Sequence, residues 1–95
     1  MQVDPNQRLG AFAKQHPDSA RRLKAWRKAL IGATPANFAE LRQVFNSVDV
    51  VGDYFVFNVG GNNYRIVCYI NFEEGRCYIR HVLTHAEYDR GKWKR

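Results

Sequence analysis

The sequence predicts an α+β fold in which N-terminal helices pack on one face of a C-terminal antiparallel β-sheet. Two observations carry this: apolar residues recur at helical spacing through the first half, and after Gly52 the period changes to two. A third joins the halves, because no Ser- or Gly-rich linker separates them. A chain of 95 residues can bury one modest core and not two. Residues 1–95 therefore read as a single domain, with helices over about 5–46, a sheet over about 54–84, and a turn with a basic tail over 85–95.

The first helix, over residues 5–15, enters through Pro5 and stops at His16-Pro17, because the residue before a proline avoids the helical region. Asp18 is placed to cap the second, from Ser19 to Ile31. There Leu23, Trp26 and Leu30 share one face, while Arg21, Arg22, Lys24, Arg27 and Lys28 cover most of the rest. Thr34-Pro35 offers a capping hydroxyl and a first-turn proline to a third helix with the stripe Phe38, Leu41 and Phe45.

Tyr54 to Val59, Tyr64 to Phe72 and Cys77 to Thr84 are rich in β-branched and aromatic residues, and Gly60-Gly-Asn-Asn63 and Glu73-Glu-Gly-Arg76 separate them with turn chemistry. Closing each break as a hairpin pairs Val59 with Tyr64 and Phe72 with Cys77. Phe55, Phe57, Val59, Ile66, Cys68, Ile70, Phe72, Ile79 and Leu83 then form the core face. The open face pairs Asn58 with Arg65, Val67 with Val82 and Tyr69 with Arg80, and His81 falls on the core side opposite Cys68. In this register Cys77 lies roughly 13 Å along the neighbouring strand from Cys68, too far for a disulfide. Both are expected to be buried, reduced thiols, and the Cys and His spacings do not match a structural zinc site.

Fifteen Lys plus Arg against nine Asp plus Glu give a net charge of +6, which favours a polyanionic partner, nucleic acid first. Met1-Gln-Val-Asp-Pro5 lacks the basic and apolar run of a signal peptide, and the apolar runs stop short of a membrane span. The expected compartment is the cytoplasm, with no membrane association.

Two arginines on one open sheet face, with Tyr54, Tyr69 and Tyr78 beside them, offer phosphate contacts and stacking surfaces together, which suits single-stranded RNA. An ordinary solvated sheet face carries the same residue types. Past the last strand, His85 and Tyr88 are three apart and project from one side of a helical turn. Histidine suits proton transfer near neutrality, and a tyrosine can orient a hydroxyl or protonate a leaving oxygen. Arginine stays protonated and can stabilise the charge on a pentacovalent phosphorane. His16 and His81 are assigned structural roles, and Gly60-Gly61-Asn62 reads as a hairpin turn rather than a phosphate loop.

Phe55-Val-Phe-Asn58-Val-Gly60-Gly61-Asn62, Tyr64-Arg65-Ile-Val67, Cys77-Tyr78-Ile79-Arg80 and Thr84-His85-Ala-Glu-Tyr88-Asp89 together resemble the HigB toxin family. The upstream helices match it more loosely. The resemblance implies a RelE-like fold, similar to small microbial ribonucleases, and ribosome-dependent cleavage of mRNA in the A site. It implies attack of the RNA 2'-hydroxyl on the adjacent phosphate, with no metal or other cofactor. On the matching blocks it implies Arg65, Arg80, His85 and Tyr88 as catalytic residues, with Asn58, Asp89 and Lys92 in supporting or RNA-binding roles; Tyr69 is assigned an RNA-binding role from its place on the open sheet face. The implied partners are mRNA on the ribosome and a HigA-like antitoxin with a helix-turn-helix, so that DNA is met only through that complex. Family members commonly begin with a short strand, whereas Val3-Asp4-Pro5 is proline-interrupted, so this strand is expected to be short or absent. The tail Arg90 to Arg95 suits either ribosomal RNA or a frayed end. The competing readings are a non-catalytic RNA-binding module using the same face and an inactive interaction domain.

Overall fold

The apolar stripes of the first half fold as helices in the computed structural model, which describes residues 1–94. Helix α1 spans Asn6–Gln15, a 3₁₀ turn covers Pro17–Ser19, α2 spans Ala20–Ile31 and α3 spans Phe38–Val44. Two caps differ from expectation. Asp18 does not cap α2; its carboxylate accepts a hydrogen bond from the Tyr64 hydroxyl at 2.6 Å, while Ser19 closes the 3₁₀ turn by donating to the His16 carbonyl at 2.6 Å. At α3 the cap is Asn37 rather than Thr34. Its side chain accepts from the Glu40 amide at 3.0 Å, and Glu40 accepts from the Ala36 amide at 2.9 Å. An Asn three residues ahead of a Glu satisfies two orphan amides at once, which the Thr34-Pro35 pair cannot do.

The sheet has five strands in the order β1-β5-β4-β3-β2, with β1 at Gln2–Asp4, β2 at Asp49–Val51, β3 at Tyr54–Val59, β4 at Tyr64–Asn71 and β5 at Arg76–Thr84. The expected short first strand is present and pairs parallel with β5, Val3 opposite Cys77. The Met1 amino group anchors it by donating to the carbonyls of Ile31 and Ala33. Strand β2 escaped the sequence reading because three residues are too few to show a period.

The β3–β4 hairpin has the predicted register, with Val59 opposite Tyr64 and Asn58 opposite Arg65. The β4–β5 hairpin does not. Gly75, at φ +68°, takes the last turn position, and its amide donates to the Phe72 carbonyl at 3.2 Å, so the turn starts one residue early and Ile70 faces Cys77. A bulge follows: Cys68 faces Ile79 but Val67 faces His81, leaving Arg80 as the extra residue. Beyond the bulge every β5 side chain changes face. Val82 joins the core, whereas His81 and Leu83 move to the open side. Tyr69 therefore faces Tyr78, not Arg80.

The two cysteines are also closer than predicted. Two residues apart in register rather than four, Cys68 and Cys77 are diagonal neighbours, and burial is the main cause pushing the Cys68 thiol well above its usual pKa, with the neighbouring Cys77 adding to it. Both are buried and free.

The main core lies between the helices and one sheet face. Leu9 and Phe12 of α1, Leu23, Trp26 and Leu30 of α2 and Leu41 of α3 pack on Phe57, Val59, Tyr64, Ile66, Cys68, Ile70, Cys77 and Ile79. Trp26 and Phe45 both meet the Phe57 ring edge-on, with centroids 5.2 and 5.1 Å away. Among the described residues no helix is long and apolar enough to cross a membrane.

Candidate active site

The second sheet face is built around a short helix, α4, at His85–Arg90. Thr84 and Glu87 form a reciprocal capping box: the Thr84 hydroxyl accepts from the Glu87 amide at 3.2 Å, and the Glu87 carboxylate accepts from the Thr84 amide at 2.9 Å. Gly91 ends the helix at φ +73°, where a side chain would be strained. The His85 amide donates to the Asn63 carbonyl at 2.9 Å, tying α4 to the β3–β4 turn.

The face is drier than its sequence implied. A 3₁₀ turn at Lys92–Lys94 folds the tail back, and Trp93 is buried at 4% exposure against Val56 and Val67, with Leu83 and Tyr88 beside them. The Trp93 ring stacks on Tyr88 at 5.0 Å, and its indole donates to the Tyr88 carbonyl at 2.9 Å. Through residue 94 the tail is thus docked rather than frayed; Arg95 lies outside the described residues.

Arg65 is buried on this face at 7% exposure. Its guanidinium donates to the Asn62 and Tyr64 carbonyls, each at 3.1 Å, and to the Asn62 side-chain oxygen at 2.7 Å. The other side of the group stacks over the Tyr88 ring at 5.4 Å. Asn62 was missed as a contributor, since its place in a turn gave no sign that the chain folds back onto Arg65.

The predicted residues divide into two groups. Arg65 and Tyr88 are in contact, and His85 Nδ1 meets Asp89 at 2.8 Å one helical turn away, so a carboxylate orients the imidazole. Asn58 is exposed opposite Arg65. Farther along the sheet, roughly 13 Å from Arg65 at the usual strand rise, Tyr69 and Tyr78 lie with ring centroids 6.2 Å apart. Arg80 is exposed at the bulge between these groups.

His81, assigned to the core by the sequence, belongs to this face. With Leu83, Glu87, Arg90, Lys92 and Trp93 it lines a pocket of about 400 Å³. Burial is the main cause lowering its pKa, with Arg8 and Arg80 adding repulsion. Only the bulge puts it here. A larger cavity, about 490 Å³, lies between α1 and α2 and contains none of the candidate side chains.

Residues 19–91 match the model of the HigB toxin family, described as the RelE-like toxic component of a toxin-antitoxin system. The chain belongs to this family. This HigB-family chain is 50% identical over 52 residues to the mRNA interferase toxin HigB of Escherichia coli (strain K12), a stretch covering 52% of this chain and 50% of that relative. The same figures hold for the mRNA interferase HigB of Shigella flexneri. It is 32% identical over 81 residues to the mRNA interferase HigB of Escherichia coli O6:H1, covering 82% of this chain and 79% of the relative. The chain thus spans about half the length of the first two relatives. All the positions carried over from the family's blocks, except Lys92, fall inside the matched segment.

Proposed function

We propose that this chain is the toxin of a type II toxin-antitoxin pair, a ribosome-dependent endoribonuclease that cuts mRNA and so stops translation. The observation that carries the reading is the pairing of an oriented imidazole, His85 on Asp89, with Tyr88 held against Arg65 on a basic sheet face. The names of the relatives support it.

In the proposed reaction the RNA 2'-oxygen bonds to the adjacent phosphorus and the bond from phosphorus to the 5'-oxygen breaks, leaving a cyclic phosphate. The 2'-hydroxyl proton leaves to a base, and the departing 5'-oxygen gains a proton from an acid; His85 and Tyr88 supply these two functions. Arg80, exposed at its bulge, contacts the phosphate and stabilises the phosphorane charge. Arg65, with two of its nitrogens engaged by Asn62 and Tyr64, positions Tyr88 and adds positive charge behind it. Asn58, Tyr69 and Lys92 hold the strand. No cofactor is required by this chemistry. The reading places the toxin in the cytoplasm with a HigA-like helix-turn-helix antitoxin, which alone would confer DNA contact.

Primer extension on a translated mRNA, with and without ribosomes, tests the proposal. Cuts that require ribosomes support it. Tight RNA binding without scission would instead favour a binding module on the same Arg and Tyr face.

A further inference from the structure

The pocket beside His81 is not explained by the groups assigned to scission. It lies between β5 and the segment that runs from α4 into the tail, and at about 400 Å³ it has the volume of a small-molecule site. Leu83 and the edge of Trp93 supply apolar walls, while Arg90 and Lys92 bring two cations to its rim. Glu87 also lines it, but one of its carboxylate oxygens is held by the Thr84 amide. The His81 imidazole is half-buried here and makes no side-chain hydrogen bond to any described residue.

We propose that this pocket binds one nucleotide of the RNA, its base received by Leu83 and Trp93, the base edge read by His81, and its phosphate met by Lys92 and Arg90. The chemistry of each wall fits one part of a nucleotide. An apolar slot accepts a base, paired cations accept a phosphate, and an imidazole with one donor and one acceptor nitrogen can match a base edge. Burial, Arg8 and Arg80 hold His81 neutral near pH 7, preserving that acceptor nitrogen. Acidification then has opposite effects on the two chemistries. It strengthens a simple anion site by adding a cation, and it weakens base reading by removing the acceptor.

This inference rests on RNA being the ligand of this face and does not require scission. The test is a titration of the intact chain, followed in ¹H–¹⁵N correlation spectra, with each of the four nucleoside 3'-monophosphates and with inorganic phosphate as control. At least one nucleotide is expected to shift the Trp93 indole and the Leu83 and Lys92 amide signals at concentrations where phosphate does not. His81→Ala should weaken that binding about tenfold, the scale of one lost polar contact, and His81→Asn should restore part of it. The site is overturned if no nucleotide shifts these signals, if inorganic phosphate shifts them equally (an adventitious ion only), or if His81→Ala binds as wild type. Nucleotide binding by a chain that cuts no mRNA would sink the nuclease reading and leave the subsite standing; cutting without nucleotide binding would do the reverse.

Discussion

Replacing Trp93 with Ala removes the side chain that closes the second sheet face. Core Trp→Ala changes cost about 3–5 kcal/mol, but Trp93 belongs to a small cluster with few buried neighbours. A lower bound comes from its named partners: stacking on Tyr88 contributes about 0.5–1.5 kcal/mol, and the indole hydrogen bond about 0.5–1.5 kcal/mol. The burial of Trp93 against Val56 and Val67 adds to this, so a loss of about 3 kcal/mol is expected. Equilibrium urea denaturation measures the total, and amide exchange locates it. Exchange should accelerate from Tyr88 through Lys94 and at Arg65, while the amides of α2 and β3 keep their relative order of protection. A loss below about 1 kcal/mol, well under the usual cost of a core Trp, with Arg65 unaffected, would refute the claim that Trp93 packs on Tyr88 and through it supports Arg65.

Three further outcomes follow from particular contacts. Thr84→Ala deletes one half of the α4 capping box and should cost about 1 kcal/mol in urea denaturation; an unchanged midpoint would mean that packing alone holds α4. His81 has a folded-state pKa below its ordinary 6.5, so folding favours its neutral form. That contribution is complete above pH 6.5 and is lost as pH falls through the lowered value; wild type should therefore lose more stability than His81→Gln between pH 7.5 and 5, and parallel pH curves would contradict it. Cys68 and Cys77, buried with the Cys68 thiol raised well above its usual pKa, should react with a thiol reagent only as fast as the chain opens. Fast labelling of the native chain would refute that burial.

The helices were legible because Leu23, Trp26 and Leu30 repeat at helical spacing over about two turns, a signal longer than any local ambiguity. The first hairpin was legible because both of its leading glycines, Gly60 and Gly61, take the left-handed backbone that such a turn needs. The second hairpin was misjudged because Glu73-Glu-Gly-Arg76 admits more than one turn, and the position of Gly75 decides between them. The Arg80 bulge then left no mark in the residue pattern, since Arg80, His81 and Val82 are tolerated on either face of an edge-proximal strand. That single event moved His81 and Leu83 into the candidate site. Arg65, Tyr88 and Asp89 were readable from their blocks, whereas the folding-back of Trp93 was hidden within a tail whose charge suggested solvent.

The central claim is best tested by single-turnover cleavage of a defined mRNA on programmed ribosomes, comparing wild type with Arg80→Ala and His85→Ala. Loss of a transition-state charge contact predicts a fall of about two orders of magnitude for Arg80→Ala, roughly 3 kcal/mol. Loss of an acid or base predicts about 10² to 10⁴ for His85→Ala, with folding intact. Wild-type rates in both variants would contradict the account.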